Sequence, residues 1–267
     1  MAFAPWQYAL LLAIESLADP WGLFVCGLPM TRAAILIDGG YLLKRLPSVR
    51  PDLDATDPAV VAKAIGRLVE THLDRLNRVA RLPHRMALLY RCFYYDAKPY
   101  LLKGHLPVSR RAIDFAKTPE ATFRLALFNE LRRSPNFVVR LGEVRRESGW
   151  ILKEEPLKSL LAHRSNVDDL TDGDFALGLR QKAVDMRIGV DIASLTLKKQ
   201  VDTIILVAGD ADFVPAAKMA RREGVRFILD PLWRSVAPDL FEHIDGLTSG
   251  FPRPRVAKAG NDEDIIA

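Results

Sequence analysis

The stretch TIILVAGDADFVPAAKMARREGVRFIL, residues 203–229, decides the fold class of this chain. Its first part, Thr203 to Ala208, is a nearly continuous apolar run that predicts a buried strand. A helix is expected from Phe213 to Glu223, because Gly224 stands where helices commonly end, and Val225 to Leu229 predicts the next strand. Strand, helix and strand in this order predict a parallel βαβ unit.

The same alternation extends toward the N-terminus. Short apolar runs predict strands over Ala33–Ile37, Met86–Tyr95 and Phe137–Val144, and apolar residues near a 3.6-residue period predict helices starting at Pro58, over Pro119–Arg132 and over Ala183–Lys198. Strands that alternate with helices predict a three-layer α/β/α sandwich with a mainly parallel central sheet. Sheets of this kind carry their functional sites at the carboxyl ends of the strands.

Composition sets the class of protein. The chain has 267 residues, of which 49% are hydrophobic and 27% charged, with 38 Lys plus Arg against 33 Asp plus Glu. These values exclude disordered and collagen-like chains and predict a soluble globular protein. The formal net charge of +5 permits a polyanionic partner without requiring one.

The two ends of the chain differ from the middle. Residues 1–31 are apolar, but no Lys or Arg precedes the hydrophobic run and Glu15 and Asp19 interrupt it, which argues against a signal peptide or a membrane span. We expect an N-terminal extension or a misplaced start ahead of Met30; a helix docked on the domain is the alternative. The expected domain covers residues 32–247, followed by a disordered tail at 248–267 rich in Pro, Gly and charge.

Cys26 and Cys92, the two cysteines, lack the spacing of a zinc site or of a disulfide framework. A reducing, cytoplasmic location therefore fits this chain best. The sequence leaves homo-oligomer formation open.

Carboxylates follow two of the predicted strands. Asp38 comes directly after residues 33–37, and Asp210 and Asp212 follow the 203–208 strand in the same relation. Asp185 stands at the start of the helix that precedes that strand, and a right-handed crossover would begin this helix at the same edge of the sheet. We therefore expect three or four carboxylates to converge.

Such a group of like charges requires protons or a cation, because mutual repulsion and desolvation both disfavour the ionised state. Mg²⁺ and Mn²⁺ prefer hard oxygen ligands, so the pattern predicts a divalent-metal site for phosphate chemistry at Asp38, Asp185, Asp210 and Asp212. Helix capping is the structural alternative, above all for Asp212 beside Phe213. Asp191, on another face of the helix, and Asp96, after a predicted strand, are candidates for an outer or structural role.

Three stretches resemble the motifs of NYN domains, the PIN-like ribonuclease group, in the bacterial LabA-like branch. They are IDGGYL at 37–42, QKAVDMRIGVDIASL at 181–195 and LVAGDADFVPAAKMARREGV at 206–225, with FYYDAKP at 93–99 as a weaker match. The resemblance implies a PIN-like sandwich whose four aspartates form the metal-binding cluster of a nuclease, with Asp191 at a motif position of unclear role. One departure is Gly40-Tyr41, where many relatives carry an Asn that would orient phosphate or water.

A basic region covers residues 103–146, with ten Lys or Arg against four Asp or Glu. This local excess predicts a surface for RNA. The candidate phosphate contacts are Arg110, Arg111, Arg132, Arg133 and Lys182, the last because it stands close to Asp185. An Arg pair on a helix is more often a solvated face, which is the alternative for the four arginines.

Other chemistry lacks its motifs. No G-x-G-x-x-G follows a strand, no P-loop occurs, and no serine has a nucleophile-elbow context. A calcium loop starting at Asp168 fails because Leu170 and Leu179 occupy ligand positions. The expected activity is a metal-dependent endoribonuclease using Mg²⁺ or Mn²⁺; the alternatives are a catalytically silent RNA-binding module and, less favoured, a phosphatase of the haloacid-dehalogenase type.

Overall fold

The computed structural model of this protein describes residues 32–254. Its strands are β1 (Ala33–Asp38), β2 (Leu89–Ala97), β3 (Lys103–His105), β4 (Ala112–Asp114), β5 (Phe137–Leu152), β6 (Phe175–Lys182), β7 (Thr203–Val207), β8 (Arg226–Asp230) and β9 (Gly246–Leu247). Its α-helices are α1 (Gly39–Val49), α2 (Pro58–Ala80), α3 (Pro119–Arg133), α4 (Glu154–Leu161), α5 (Val184–Leu197), α6 (Val214–Arg222) and α7 (Pro238–Phe241). Short 3₁₀ turns lie at Arg85–Leu88, Phe115–Lys117, Val167–Asp169, Asp172–Asp174 and Ala211–Phe213.

Seven strands form the main sheet in the order β6-β5-β2-β1-β7-β8-β9. Every neighbouring pair is parallel except β5 and β6, which are antiparallel. Strands β3 and β4 form a separate two-stranded hairpin. The chain therefore builds outward from β1 in one direction through β2 and β5, and then in the other direction through β7, β8 and β9.

Helices cover both faces of the sheet. On one face α1, α2 and α3 bury a core that includes Leu46, Leu68 and Phe128. On the other face α5, α6 and α7 bury a second core around Ile192 and Ala220. This arrangement confirms the predicted α/β/α sandwich with a mainly parallel sheet.

Helix starts follow the capping residues of the sequence. Asp57 accepts hydrogen bonds from Ala59 N and Val60 N ahead of α2, and Thr118 accepts one from Ala121 N ahead of α3. Each cap precedes a proline in the first turn, the position where the missing N–H costs nothing. The expected start at Pro58 and the helix at Pro119 are both confirmed.

Two local interpretations were wrong. Asp38-Gly39-Gly40 suggests a tight turn after the first strand, but both glycines are the first residues of α1, which Asp38 caps by accepting from Tyr41 N at 3.0 Å. Residues 86–88 belong to a 3₁₀ turn, and the strand begins only at Leu89.

The polar segment after residue 144 contains an extension of β5, the helix α4 and the strand β6. Strand β5 continues to Leu152, beyond the last residue that pairs with β2, and β6 returns along this extension. The β3–β4 hairpin packs on it through Trp150 Nε1, which donates to His105 O at 3.0 Å, and through the Phe115–Trp150 ring pair. We call this projecting unit, residues 98–118 and 143–182, the arm.

The C-terminal boundary predicted at residue 247 falls inside the packed structure. Phe251 is 2% exposed in the first core, and Gly250 N donates to the buried Asp230 carboxylate at 2.7 Å. Residues 248–251 therefore pack on β8 and α2 instead of forming part of a tail. The predicted extension at 1–31 and the tail residues 255–267 lie outside the described residues.

None of the helices between residues 32 and 254 is long and apolar enough to cross a membrane. Cys92 is a free, buried thiol. Burial raises the pKa of that thiol. Cys26 falls outside the described part of the chain.

Candidate nuclease-type site at the carboxyl edge of the sheet

The two strands that carry Asp38 and Asp210 are neighbours. Strands β1 and β7 run parallel, with Ile37 paired to Val207, so Asp38 and the Gly209-Asp210 turn leave the sheet at the same edge. The chain reverses its building direction between these two strands, and parallel sheets bind ligands at such a switch point. The aspartates predicted from the two apolar runs thus lie where this fold forms its crevice.

Asp38 has the most altered environment of the four. Burial raises its pKa to about 6, and the negative charges of Asp185 and Asp96 raise it further against the opposing hydrogen bond from Tyr41 N. A carboxylate with this pKa is kept away from solvent and close to other acids. With a pKa of about 6 the carboxyl is mostly ionised at neutral pH, and a cation nearby would stabilise its buried negative charge.

Asp185 reaches this edge by a connection that the sequence did not reveal. Strand β6, which precedes α5, is antiparallel to β5 and ends at Lys182 opposite Glu143. At Gly142, an added Cβ would lie 2.6 Å from Lys182 O and 2.8 Å from Val184 Cγ2. The absence of a side chain at Gly142 therefore lets the start of α5 pack against β5, and Asp185 stands in the first turn of that helix.

Asp210 and Asp212 lie in the turn after β7, and both are exposed. Asp210 Oδ1 accepts from Asp212 N at 3.1 Å and caps the short turn Ala211–Phe213. The helix α6 begins after Phe213 without a side-chain cap. Helix capping, the structural alternative, is therefore seen for Asp38 and Asp210. It is not seen for Asp212, where it was most expected.

The acids at this edge interact as a group. The pKa of Asp185 is raised by burial first and then by the charges of Asp210 and Asp212. Nearby cations are engaged elsewhere: Arg124 pairs with Asp96, Arg140 with Asp191, and Lys182 with Glu147. We call Asp38, Asp185, Asp210 and Asp212 the acidic edge; within residues 32–254 no Lys or Arg side chain forms an ion pair with any of them.

The two outer candidates have structural partners. Asp96 is buried at the end of β2, where its carboxylate accepts from Ala97 N and from Arg124 Nη1. Asp191 accepts from Tyr95 Oη at 2.7 Å and pairs with Arg140 Nε at 3.2 Å. The negative charge of Asp96 raises the pKa of Asp38. Asp191, on α5, instead contacts Tyr95 of β2 and Arg140 of β5.

The basic candidates are spread over different regions. Lys182 Nζ lies 3.0 Å from a Glu147 oxygen, so its positive charge pairs with Glu147 in the arm and not with Asp185. Arg110 and Arg111 are exposed in the turn of the β3–β4 hairpin, within the arm. Arg132 and Arg133 end α3 just before β5 begins, which places them at the amino edge of the sheet, away from the acidic edge.

Gln181 is a residue near the acidic edge that the sequence reasoning missed. A Cβ added to Gly40 would lie 3.4 Å from Asp38 Oδ1 and 3.9 Å from Gln181 Oε1. The Gln181 amide therefore reaches the space in front of Gly40, close to Asp38. Nothing local marks this residue, because its position depends on the pairing of β6 with the extension of β5.

Metal binding at the acidic edge depends on which donor atoms its side chains offer and on how closely these atoms lie together. Its side chains are hard oxygen donors without cationic partners, which suits Mg²⁺ or Mn²⁺, ions that keep several waters and use few carboxylates. Among residues 32–254, however, no three His, Cys, Asp or Glu side chains are gathered closely enough to surround one ion. The expected convergence of three or four carboxylates is therefore not seen among these residues. The chemistry of the donor atoms still suits such an ion, with Asp38, Asp185, Asp210 and Asp212 as the available oxygens.

Comparison with known proteins agrees with these motifs. Residues 131–241 match the family model described as NYN domain, which confirms the resemblance to that family. The matched residues contain Asp185, Asp210 and Asp212, and Asp38 precedes them.

Two individual proteins are also similar to this chain. An uncharacterized protein of Methanocaldococcus jannaschii is 25% identical over 154 residues, which are 55% of this chain; the chain spans 64% of that protein's length. A crystal structure of a protein of unknown function from Vibrio parahaemolyticus aligns with a TM-score of 0.37 and 14% identity, over 83% of this chain and 95% of that one.

Proposed function

We propose that this protein, whose residues 131–241 match the NYN domain model, is a metal-dependent endoribonuclease that uses Mg²⁺ or Mn²⁺. The observation that carries the proposal is the pairing of β1 with β7, which brings Asp38 and the Asp210 turn to one edge of the sheet. Asp185, whose pKa is raised by the charges of Asp210 and Asp212, joins them from α5. The LabA-like branch and a cytoplasmic location belong to the same proposal.

Asp38, Asp185, Asp210 and Asp212 would hold the metal. When bound, such an ion lowers the pKa of water and stabilises negative charge on a phosphodiester oxygen. The protein contributes the orientation of its oxygens: Tyr41 N fixes Asp38 Oδ1, and Asp212 N fixes Asp210 Oδ1. The Gln181 amide, beside Asp38, would orient the substrate phosphate or a water molecule. The family resemblance implies this role for an Asn that many relatives carry where this chain has Gly40-Tyr41.

Charge on the arm supports RNA as the substrate. Arg145 and Arg180 lie directly opposite each other in the β5–β6 ladder, and both are exposed. Each is paired with a glutamate, Arg145 with Glu143 and Arg180 with Glu147. The exposed Arg110 and Arg111 of the arm form no ion pair within residues 32–254, so they are available to contact phosphate. The arm begins at Glu143 and Lys182, next to the first turn of α5, and its arginines therefore flank the acidic edge.

A catalytically silent RNA-binding module is the second candidate. It is favoured by the separation of the acidic side chains, no three of which gather around one point within residues 32–254. In this alternative the acidic edge would serve capping at Asp38 and Asp210, and RNA would bind to the arm without being cleaved.

The experiment that separates these functions is an assay of the purified protein with Mn²⁺ or Mg²⁺, and with chelator as a control. Substrates are a panel of single-stranded and structured RNAs together with p-nitrophenyl phosphate. The proposal expects metal-dependent internal cleavage of RNA. Binding of RNA without cleavage would instead identify the silent module, and hydrolysis of the monoester alone would identify a phosphatase.

A further inference from the structure

A groove of about 320 Å³ opens on the α5 face of the sheet, away from the acidic edge. It exists because β6 pairs only with the extension of β5, so Phe137–Gly142 forms an outer strand of the parallel sheet. Helix α5 packs on β1, β2 and β5, but leaves Val138 half-buried and Arg140 exposed on this outer strand. The groove lies between that helix and the first halves of β2 and β5.

The floor of the groove is apolar and its wall is polar. Phe93, Val138 and Leu195 form the floor, and Phe93 and Leu195 are nearly buried. Ser194 and Gln200 add a hydroxyl and an amide at the wall. Six of the nine lining residues are polar or charged, so the groove combines a small apolar floor with a largely polar wall. Its volume falls in the range of small-ligand sites.

Arg91 supplies the charge of the groove. Arg140 also lines it, but its guanidinium is held by Asp191 at 3.2 Å and lies 5.8 Å from the centre of the Phe93 ring. Arg91 is exposed and lies 5.8 Å from the centre of the Tyr90 ring, and within residues 32–254 it forms no ion pair. One free guanidinium beside an apolar floor suits a group that combines a flat ring with a phosphate.

Helix α5 connects the groove to the acidic edge. Asp185 stands in its first turn, and Ser194 follows nine residues later, which is about 13 Å along the helix axis at 1.5 Å per residue. Nine residues also rotate the helix by half a turn beyond two full turns, so Ser194 lies on the opposite side of α5 from Asp185, and about 13 Å is a minimum for the path between them. A strand held at the acidic edge must therefore pass around α5 over more than this distance to reach the groove.

We propose that this groove binds one nucleotide of a single-stranded RNA substrate, several nucleotides from the bond that is cleaved. Its base packs on Phe93, Val138 and Leu195, and its phosphate contacts Arg91. Aromatic and apolar side chains accept any base in this way, so the contact adds affinity and sets a minimum substrate length more than a sequence preference. This inference rests on the proposed function and adds a substrate-binding site to it.

The test compares Arg91→Glu with Arg67→Glu, which changes the charge equally on α2, across the sheet. Binding of a fluorescein-labelled single-stranded RNA decamer is measured by anisotropy in an Asp38→Asn background, so that cleavage is not needed for the readout. We expect Arg91→Glu to weaken decamer binding about tenfold and Arg67→Glu to leave it unchanged. Equal affinities for the two variants, or no binding of the decamer at all, would overturn the inference.

Substrate length supplies a second measurement in the otherwise native protein. Arg91→Glu should lower kcat/KM about tenfold for the decamer and leave it unchanged for a trinucleotide, which is too short to reach the groove. Equal losses on both substrates would mean that the variant disturbs the fold, and the site would be rejected. If Arg91→Glu cleaves both like the native protein while Asp38→Asn is inactive, the groove fails and the nuclease stands; if the native protein cleaves neither, the nuclease itself fails.

Discussion

Arg124 on α3 donates a hydrogen bond from Nη1 to Oδ1 of Asp96, at the end of β2, over 2.5 Å. The Asp96 side chain is fully buried and that of Arg124 is 16% exposed, so the ion pair lies under the surface beside Asp38. Burial raises the pKa of Asp96, and the charge of Arg124 opposes this shift. Arg124 thus allows a buried negative charge to persist next to the acidic edge.

Removing Arg124 should therefore destabilise the protein. In Arg124→Met the Asp96 carboxylate loses its partner, and breaking a buried pair in this way costs about 3 kcal/mol. Denaturant unfolding measures the loss. Arg133→Met, which removes an exposed ion pair with Glu130, should change the free energy of unfolding by less than about 1 kcal/mol. Equal effects of the two substitutions would contradict the stabilising role of Arg124.

Metal binding should stabilise the folded protein. At 100 times the dissociation constant, Mn²⁺ would add about 2.7 kcal/mol, which corresponds to a rise of about 5 to 10 °C in Tm for a domain of this size. Asp210→Asn removes a proposed ligand and should abolish the rise. Asp52→Asn, an exposed change past the end of α1, should keep it. A Tm that ignores Mn²⁺ in the native protein would count against the metal site.

Gln181 should contribute to turnover and not to folding. Its amide lies beside Asp38, so Gln181→Ala should lower kcat for RNA cleavage about 10- to 100-fold through loss of positioning. Tm and RNA affinity should remain those of the native protein. The control is Asn129→Ala, which removes an exposed amide on α3. Unchanged kcat in Gln181→Ala would exclude this role.

The C-terminal boundary of the folded unit can be tested by truncation. A chain ending at Leu247 loses Phe251 from the core and the hydrogen bond from Gly250 N to Asp230, whereas a chain ending at Pro254 keeps both. The shorter chain should be less stable by about 3 to 5 kcal/mol, the usual cost of deleting a buried Phe. Thermal and urea unfolding of both chains measure the difference, and equal stability would place the boundary at 247.

The strand ends of this fold were predictable because their signal is local. Apolar runs at residues 33–37 and 203–208 mark buried strands, and the aspartates that follow them must then lie at the strand ends. Alternation of strands and helices predicts a parallel sheet, so both aspartates are expected at the same edge. The direct pairing of β1 with β7 does not follow from the order of elements and is seen only in the structure.

What could not be predicted depends on pairing across the chain. Strand β6, residues 175–182, has mostly exposed residues and a weak apolar pattern, and it is defined by its partner β5. Gln181 was missed for this reason. Asp185 was expected at this edge through a right-handed crossover from a parallel strand, whereas the strand that precedes α5 is antiparallel to β5. Phe251 is buried in the core, although Gly250 and Pro252 beside it are typical of a tail. The residues that bury it are distant in sequence, so local composition does not indicate its burial.

The central claim is that the acidic edge cleaves RNA, and the most direct measurement is cleavage by Asp38→Asn and Asp210→Asn in Mn²⁺, with RNA binding recorded on the same samples. The account predicts that both variants lose cleavage by about 100-fold or more while they keep binding, and that Asp52→Asn cleaves like the native protein. Cleavage at the native rate by either of the first two variants would contradict it.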